Sequence, residues 1–295
     1  PGQCLSAVIA GLDASNHDHD IPLWASNWIK RSRDSAMYTV LSPAKKLDFS
    51  TPKKGTPMTE PLFPENTAVL VKRAKKYSPQ ELKYLMGISD NLAELNAQRF
   101  RAFDLTGRGE AKQAALTFAG DVYIGLDASS LNRDDLAFAQ KHIGILSGLY
   151  GLLRPLDSIQ PYRLEMGTRF DTKRASNLYE FWDSTVTDAI VGMVRESRTR
   201  ALVNLASNEY FSVIDKKALG LPVIQPIFKE LRDGNAKVYG FLAKRARGLM
   251  ARYIIEQRIK KPEFLKDFAI DRYKFDAKAS TETQWVFSRR FIPAS

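Results

Sequence analysis

IGILSGLYGLLRPLDSIQPYRLEMG, residues 143–167, is the stretch from which the rest of the chain is best read. Its first five residues are an apolar run with the look of a buried strand, and residues 133–142 just before it carry a helical pattern. A helix feeding a buried strand points to a layered α/β arrangement. After Ser147, GLYG permits a tight turn through Gly148, Tyr150 and Gly151, while Pro155 and Pro161 stiffen the path beyond. Arg154 and Arg163 offer planar donor forks that Asp157 and Glu165 can hold in place. Two readings stay open: the wall of an anion-receiving cleft, or an internal ion-pair network fixing an awkward loop. The stretch has neither the Lys-Ser/Thr of a P-loop nor the three-glycine spacing of a dinucleotide site.

Outward from this segment, strands are expected at 38–41, 114–118 (AALTF), 201–206 (ALVNLA) and 222–228 (PVIQPIF). Helical patterns cover about 67–76 and 177–197. SPQELKYLMGISDNLAELNAQRF contains two helix starts: a capping box of Ser78 and Glu81 with Pro79 first in the helix, then a second start at Ser89 or Asp90. Leu92, Leu95 and Phe100 are the apolar marks of that second helix. DGN at 233–235 reads as a hairpin turn, and a second hairpin joins 268–275 to 284–290. Alternating strands and helices with at least two antiparallel pairings give one α/β (α+β) domain, 37–295, with a mixed sheet flanked by helices.

The chain has 295 residues, 44% hydrophobic and 26% charged, the balance of a globular protein. No apolar run approaches the length that spans a bilayer, so no membrane role is expected. Residues 1–36 start at Pro1 and resemble no secretory signal; Met37 is read as the natural start, and 1–36 as a disordered upstream or non-native extension. Cys4, His17 and His19 fall in that extension, leaving His142 as the single histidine of the body and no cysteine. Disulfides, zinc fingers and thiol chemistry are thereby excluded for 37–295, in keeping with a cytoplasmic location. The extension holds three basic and four acidic side chains of the 44 and 33 in the chain, leaving 41 against 29 and a net +12 from Met37 onward. Such a surplus favours polyanions, nucleic acid first among them.

Several constellations could carry chemistry. In a helix through Lys244–Lys260, Ala246, Leu249, Met250, Tyr253 and Ile254 share one arc and Lys244, Arg245, Arg247, Arg252 and Arg258 the remainder. KRAR is expected in the first turn, where cations oppose the helix dipole and a bound anion would offset them. The alternative is an ordinary solvated face. Met86-Gly87-Ile88-Ser89, between two helices, could present free amides to a phosphate or form a plain αα-hairpin. NLASNEYF, with Asn204 and Glu209, and GDVYIGLD, with Asp121 and Tyr123, lie where α/β sheets gather ligand groups. No catalytic triad can be built, no spacing demands a metal, and no cofactor is expected.

SPAKKLDF (42–49), LMGISDNLAELNAQRF (85–100), FAGDVYIGLDA (118–128), ILSGLYGLLRPLDSIQPYRLEMG (145–167), NLASNEYF (204–211) and AKRARGLMARYIIEQR (243–258) together resemble the YaaA-type peroxide-stress proteins. The resemblance covers 37–290. It implies a cytoplasmic protein of the hydrogen-peroxide response, linked to iron homeostasis and to limiting iron-driven DNA damage. It also implies a helix-hairpin-helix element beside a basic cleft. Carried over by position, the hairpin is Met86–Ser89 and the cleft includes Lys45, Arg154, Arg163, Lys244, Arg247 and Arg252. The leading expectation is a monomeric, non-enzymatic protein binding DNA without sequence preference. The alternative is an enzyme acting on a small anionic, nucleotide-like substrate, with Arg154 and Arg163 clamping it and Glu165, Asp121 or Glu209 serving as acid or base.

Overall fold

β1 (Ala36–Leu41) lies inside the main sheet, paired on both sides, with Met37–Leu41 buried. The computed structural model describes residues 36–50, 55–107, 109–196 and 199–292; the extension reading of 1–36 falls almost wholly on residues outside these. After β1 come three helices, α1 (Pro64–Ala74), α2 (Pro79–Met86) and α3 (Asp90–Ala102), then β2 (Lys112–Gln113), α4 (Ala114–Thr117), α5 (Asp121–Leu126) and α6 (Arg133–His142). β3 (Ile143–Ser147), β4 (Gly151–Leu153) and β5 (Ser158–Ile159) follow, then α7 (Leu178–Trp182), α8 (Thr185–Glu196) and β6 (Thr199–Leu205). The chain continues through α9 (Asn208–Phe211), α10 (Lys216–Leu219), β7 (Val223–Arg232), β8 (Asn235–Lys237), α11 (Gly240–Glu256), β9 (Lys274–Phe275) and β10 (Gln284–Arg290).

The main sheet has eight strands in the order β4-β3-β1-β6-β7-β10-β9, with β8 also paired to β7. β3, β1, β6, β7 and β10 run parallel; β4, β8 and β9 are antiparallel additions. The expected α/β domain with a mixed, helix-flanked sheet is therefore what forms. Every residue of β3 is buried, and Met37–Leu41 of β1 are no more than 1% exposed, so both faces of the sheet centre are covered. α6 packs on β1 and β3, and α8 on β4 and β6. The connection from β1 to β3 moves one way along the sheet and that from β3 to β6 the other way. Right-handed crossovers then put α6 and α8 on opposite faces. In chain order, the five parallel strands read 2-1-3-4-5. The order reverses between β1 and β6, whose carboxyl ends stay paired as far as Leu41↔Leu205.

One strand over, between β6 and β7, a gap does open, and two details shape it. Pro226 stands inside β7 on the side facing β6, because the preceding N–H, of Gln225, points the other way to Thr283 O. Lacking an N–H, Pro226 cannot extend the β6–β7 ladder, which ends at Val203↔Ile224 while β7 runs on beside β10. α11 covers the gap. It is pressed onto α5 at a glycine crossing: a Cβ on Gly248 would strike Val122 O, and one on Gly125 would strike the Arg245 backbone.

The structure changes four sequence expectations. AALTF is a helical turn rather than a strand: Phe118 N–H bonds Ala114 O, and the Ala114 and Ala115 amides are taken by Asp157 and Pro155 carbonyls. A short apolar run does not itself distinguish helix from strand, and here the loop's carbonyls decide. Leu92 and Leu95 are 38% and 39% exposed, and Ala93, Asn96, Ala97 and Phe100 form the buried stripe of α3. α11 begins at Gly240, so KRAR lies in its second turn, and the dipole argument for an anion at its first turn falls away. The helical pattern at 177–197 divides into α7 and α8 around Asp183, whose φ is 39°.

Candidate functional site at the carboxyl edge of the sheet

The end of β1 is joined to the end of β6 by two serines. Ser207 N–H donates to Ser42 Oγ at 2.8 Å, and Ser42 Oγ–H donates to Ser207 Oγ at 3.3 Å. Asn204 turns the chain here by accepting Ala206 N–H on its Oδ1 at 2.9 Å. Ser42 opens the SPAKKLDF block, but no role was assigned to it there; its one positional signal was its place just past the first strand.

Around this junction the segment 162–167 folds back. Glu165 Oε1 accepts from Arg163 Nε at 3.0 Å and Nη2 at 2.9 Å, and Lys45 Nζ stands 3.2 Å away. Its second oxygen, Oε2, is fully buried and has no hydrogen-bond partner among the described residues. The wall beside it contains Pro43, Tyr162 and Tyr210. Tyr162 shares a 2.7 Å hydroxyl bond with Ser147, and Tyr123 donates to Ser42 O at 3.0 Å. Burial raises all three tyrosines above their ordinary range, and Tyr123 is raised further by Tyr162 and Tyr210. They are neutral hydroxyls at physiological pH. Glu209 reaches across to Gly167, accepting its N–H on Oε1 at 3.1 Å.

The other expected residues have different situations. Arg154 is tied to the fully buried Asp157, through Nε at 3.0 Å and Nη2 at 2.8 Å, and donates from Nη2 to Glu60 O. Asp157 also accepts Arg154 N–H and the Thr59 hydroxyl. Gly148, Tyr150 and Gly151 are buried: Gly148 O accepts from Trp182 Nε1, Gly151 packs under the Trp182 ring, and the Tyr150 hydroxyl oxygen accepts Gln160 N–H. Arg252 bonds Ser130, the Leu126 and Asp127 carbonyls, and the carboxylates of Asp127 and Glu256. Asp121 is the first residue of α5, where an acid suits the helix dipole. His142 ends α6 against Phe138, and burial lowers its pKa.

Between α2 and α3, Gly87 has φ 60° and ψ 46°, the left-handed residue that closes a helix; its N–H and that of Ile88 both return to Lys83 O. Ile88 is buried, and Asp90 at the start of α3 pairs with Lys83 at 2.8 Å. Met86–Ser89 thus form an αα-hairpin whose second helix carries its own anion. It packs beside α1, whereas α11 packs against α5, α6, β6 and β7.

On α11, Lys244 and Arg245 are exposed and Arg247 is half-buried. Among the described residues none of the three has a hydrogen-bond, ion-pair or ring partner. Burial alone lowers the Arg247 pKa. Arg99, on α3, is a cation that the sequence reading overlooked: burial and then Arg163 lower its pKa. Among the described residues, no group of three or more His, Cys, Asp or Glu could hold a metal ion, and no helix is long and apolar enough to cross a membrane.

Comparison with known proteins identifies the frame that carries these groups. The family model described as peroxide stress protein YaaA matches residues 37–279. UPF0246 proteins of Burkholderia mallei and Burkholderia pseudomallei are 51% identical over 257 residues, covering 86% of this chain and 99% of theirs. A UPF0246 protein of Burkholderia thailandensis matches to the same extent. The blocks at β1, the 145–167 segment, the 204–211 turn and α11 all fall inside the matched region, and the chain belongs to the YaaA family of peroxide stress proteins.

Proposed function

We propose that this chain acts in the peroxide stress response by binding DNA without sequence preference, shielding it from iron-driven damage. One observation carries the reading: Lys244 and Arg245 project from α11 with no acidic partner among the described residues, in a body of net charge +12. Unpaired surface cations bind phosphates by releasing counterions, and that attraction is indifferent to base sequence. The exposed Lys237 of β8, just ahead of the helix, extends the same charge. Fluorescence anisotropy across salt concentrations tests the reading. Neutralising about 4–6 phosphates gives log K against log salt a slope of roughly −4 to −5. The double variant Lys244→Glu/Arg245→Glu weakens binding to all sequences alike. A slope near zero on duplex, junction and single-stranded DNA rejects the proposal.

A second reading, an enzyme acting on a small anionic molecule, is favoured by the unpartnered, buried Oε2 of Glu165. A carboxylate oxygen without donors, flanked by Lys45 and Arg163, can accept a proton from a bound substrate. Incubation with nucleoside mono- and triphosphates followed by mass spectrometry tests it. Product that disappears in Glu165→Gln supports this reading, and no product from any of them sinks it.

A further inference from the structure

The gap that opens where the β6–β7 ladder stops is a crevice of about 440 Å³, bounded by the Ser207–Glu209 turn, the Gln225–Phe228 stretch of β7 and α11. That volume lies within the range that holds drug- or nucleotide-sized ligands. Arg247 lines it, and the guanidinium is the unusual element: partly withdrawn from water, yet with no hydrogen-bond or ion-pair partner among the described residues. A desolvated charge without a partner is costly, and proteins otherwise supply one, as this chain does for Arg154, Arg163 and Arg252. The side-chain amides of Asn208 and Gln225 line the same space and likewise have no hydrogen-bond partner among the described residues. Glu209 adds a carboxylate that uses one oxygen on Gly167 N–H.

We infer that this crevice binds a ribose-phosphate compound, either a sugar phosphate or a mononucleotide, with Arg247 on the phosphate and Glu209 on the sugar hydroxyls. The chemistry selects that class. A guanidinium fork matches two phosphate oxygens. The Glu209 carboxylate in the same crevice would disfavour a bare dianion but accepts well from hydroxyl donors along the same molecule. The carboxamides of Asn208 and Gln225 donate and accept, which suits a sugar ring or base edge. The crevice also lies outside the carboxyl end of β6, one strand from the point where strand order reverses, on the edge of the sheet where open α/β folds gather ligand groups. Pro226 gives a structural reason for the gap, since a residue with an N–H there could carry the ladder onward and narrow it. The inference is independent of DNA binding, which uses the outward-facing Lys244 and Arg245.

The experiment is a calorimetric and thermal-shift titration of the full chain with ribose 5-phosphate and AMP, against ribose and against sulfate at matched ionic strength. Both phosphates bind and raise the melting temperature in a saturable way, whereas ribose and sulfate do not. Arg247→Ala weakens both by roughly 10–100-fold, the loss expected when charge-assisted hydrogen bonds are removed. Glu209→Gln, which removes the acceptor for the sugar hydroxyls and the charge that disfavours a bare dianion, weakens ribose 5-phosphate and AMP relative to sulfate. Arg247→Lys, which keeps the charge but not the fork, serves if the alanine variant fails to fold, and it too weakens binding. The inference is overturned if neither phosphate outperforms sulfate, or if affinity is unchanged in folded Arg247→Ala or Arg247→Lys.

Discussion

Arg154 and Arg247 are the same side chain in opposite circumstances. Arg154 sits at the corner of the 145–167 segment and is gripped by a carboxylate with 0% exposure, so its charge is consumed inside the fold. Arg247 sits on α11 at the edge of the crevice with no acid to hold it. The difference teaches that a basic residue near a glycine-rich turn is not by itself a ligand group; the deciding quantity is whether its charge is already answered. On that measure the 145–167 corner is architecture. Asp157 ties Arg154, Thr59 and the backbone together, and the Ala114 amide bonds the Asp157 carbonyl. The segment that looked most like an anion cleft mainly holds the small β2–β5 ribbon and the α4 turn against the sheet.

The sharpest way to break the contrast is to remove the buried carboxylate. Asp157→Ala leaves Arg154 and the Thr59 hydroxyl without their acceptor in a buried setting, and breaking such a pair costs about 3–5 kcal/mol. Urea unfolding followed by circular dichroism should show a loss of this size. A loss under about 1 kcal/mol would mean that the corner is more weakly held than its geometry implies, and that Arg154 is available to a ligand.

Glu165 is the intermediate case. One of its oxygens anchors Arg163 and Lys45, and the other is buried and unpartnered. Glu165→Gln keeps the shape and removes the charge, and hydrogen bonds to charged groups are worth about 1.5–3 kcal/mol. Because Lys45 is 66% exposed, its share of that loss is screened. The expected destabilisation in the same unfolding experiment is therefore about 1–2 kcal/mol, clearly less than for Asp157→Ala. Equal losses would place Glu165 with the architectural carboxylates and remove the case for it as a proton acceptor.

Much of this contrast was legible in the sequence, in a form that is simple to state. Arg154 has Asp157 three residues on, Arg163 has Glu165 two on, and Arg252 has Glu256 four on; all three pairs form. Lys244, Arg245 and Arg247 have no acid within four residues on either side, and none of them is paired among the described residues. The helix caps were legible for the same local reason: Ser78 and Glu81 make their reciprocal bonds without help from the rest of the chain. What could not be read was anything settled at long range. AALTF becomes a turn because carbonyls some forty residues away take its amides. Ser42 becomes part of the site only because β6 lies next to β1. The unpartnered oxygen of Glu165 depends on Tyr162 and Tyr210 closing around it, and the crevice depends on which side of β7 the Pro226 nitrogen faces.

The smallest expected effect is also the most decisive for the comparison. Arg247→Met keeps the length and apolar body of the side chain and deletes a charge that nothing nearby answers. Arg154 owes its stabilising role to Asp157, so a guanidinium with no such partner has no comparable contribution to lose. It still carries the cost of partial withdrawal from water, which the thioether does not. Stability should stay within about 0.5 kcal/mol of the unaltered chain or rise, as substitutions away from special features do. The measurement is the urea midpoint at constant m-value. A loss above about 1 kcal/mol would reveal an interaction holding the guanidinium in place, and Arg247 would then belong with Arg154 as a residue that builds the fold. An unchanged or raised midpoint, alongside weakened phosphate binding, would separate the two arginines by function as cleanly as their surroundings do.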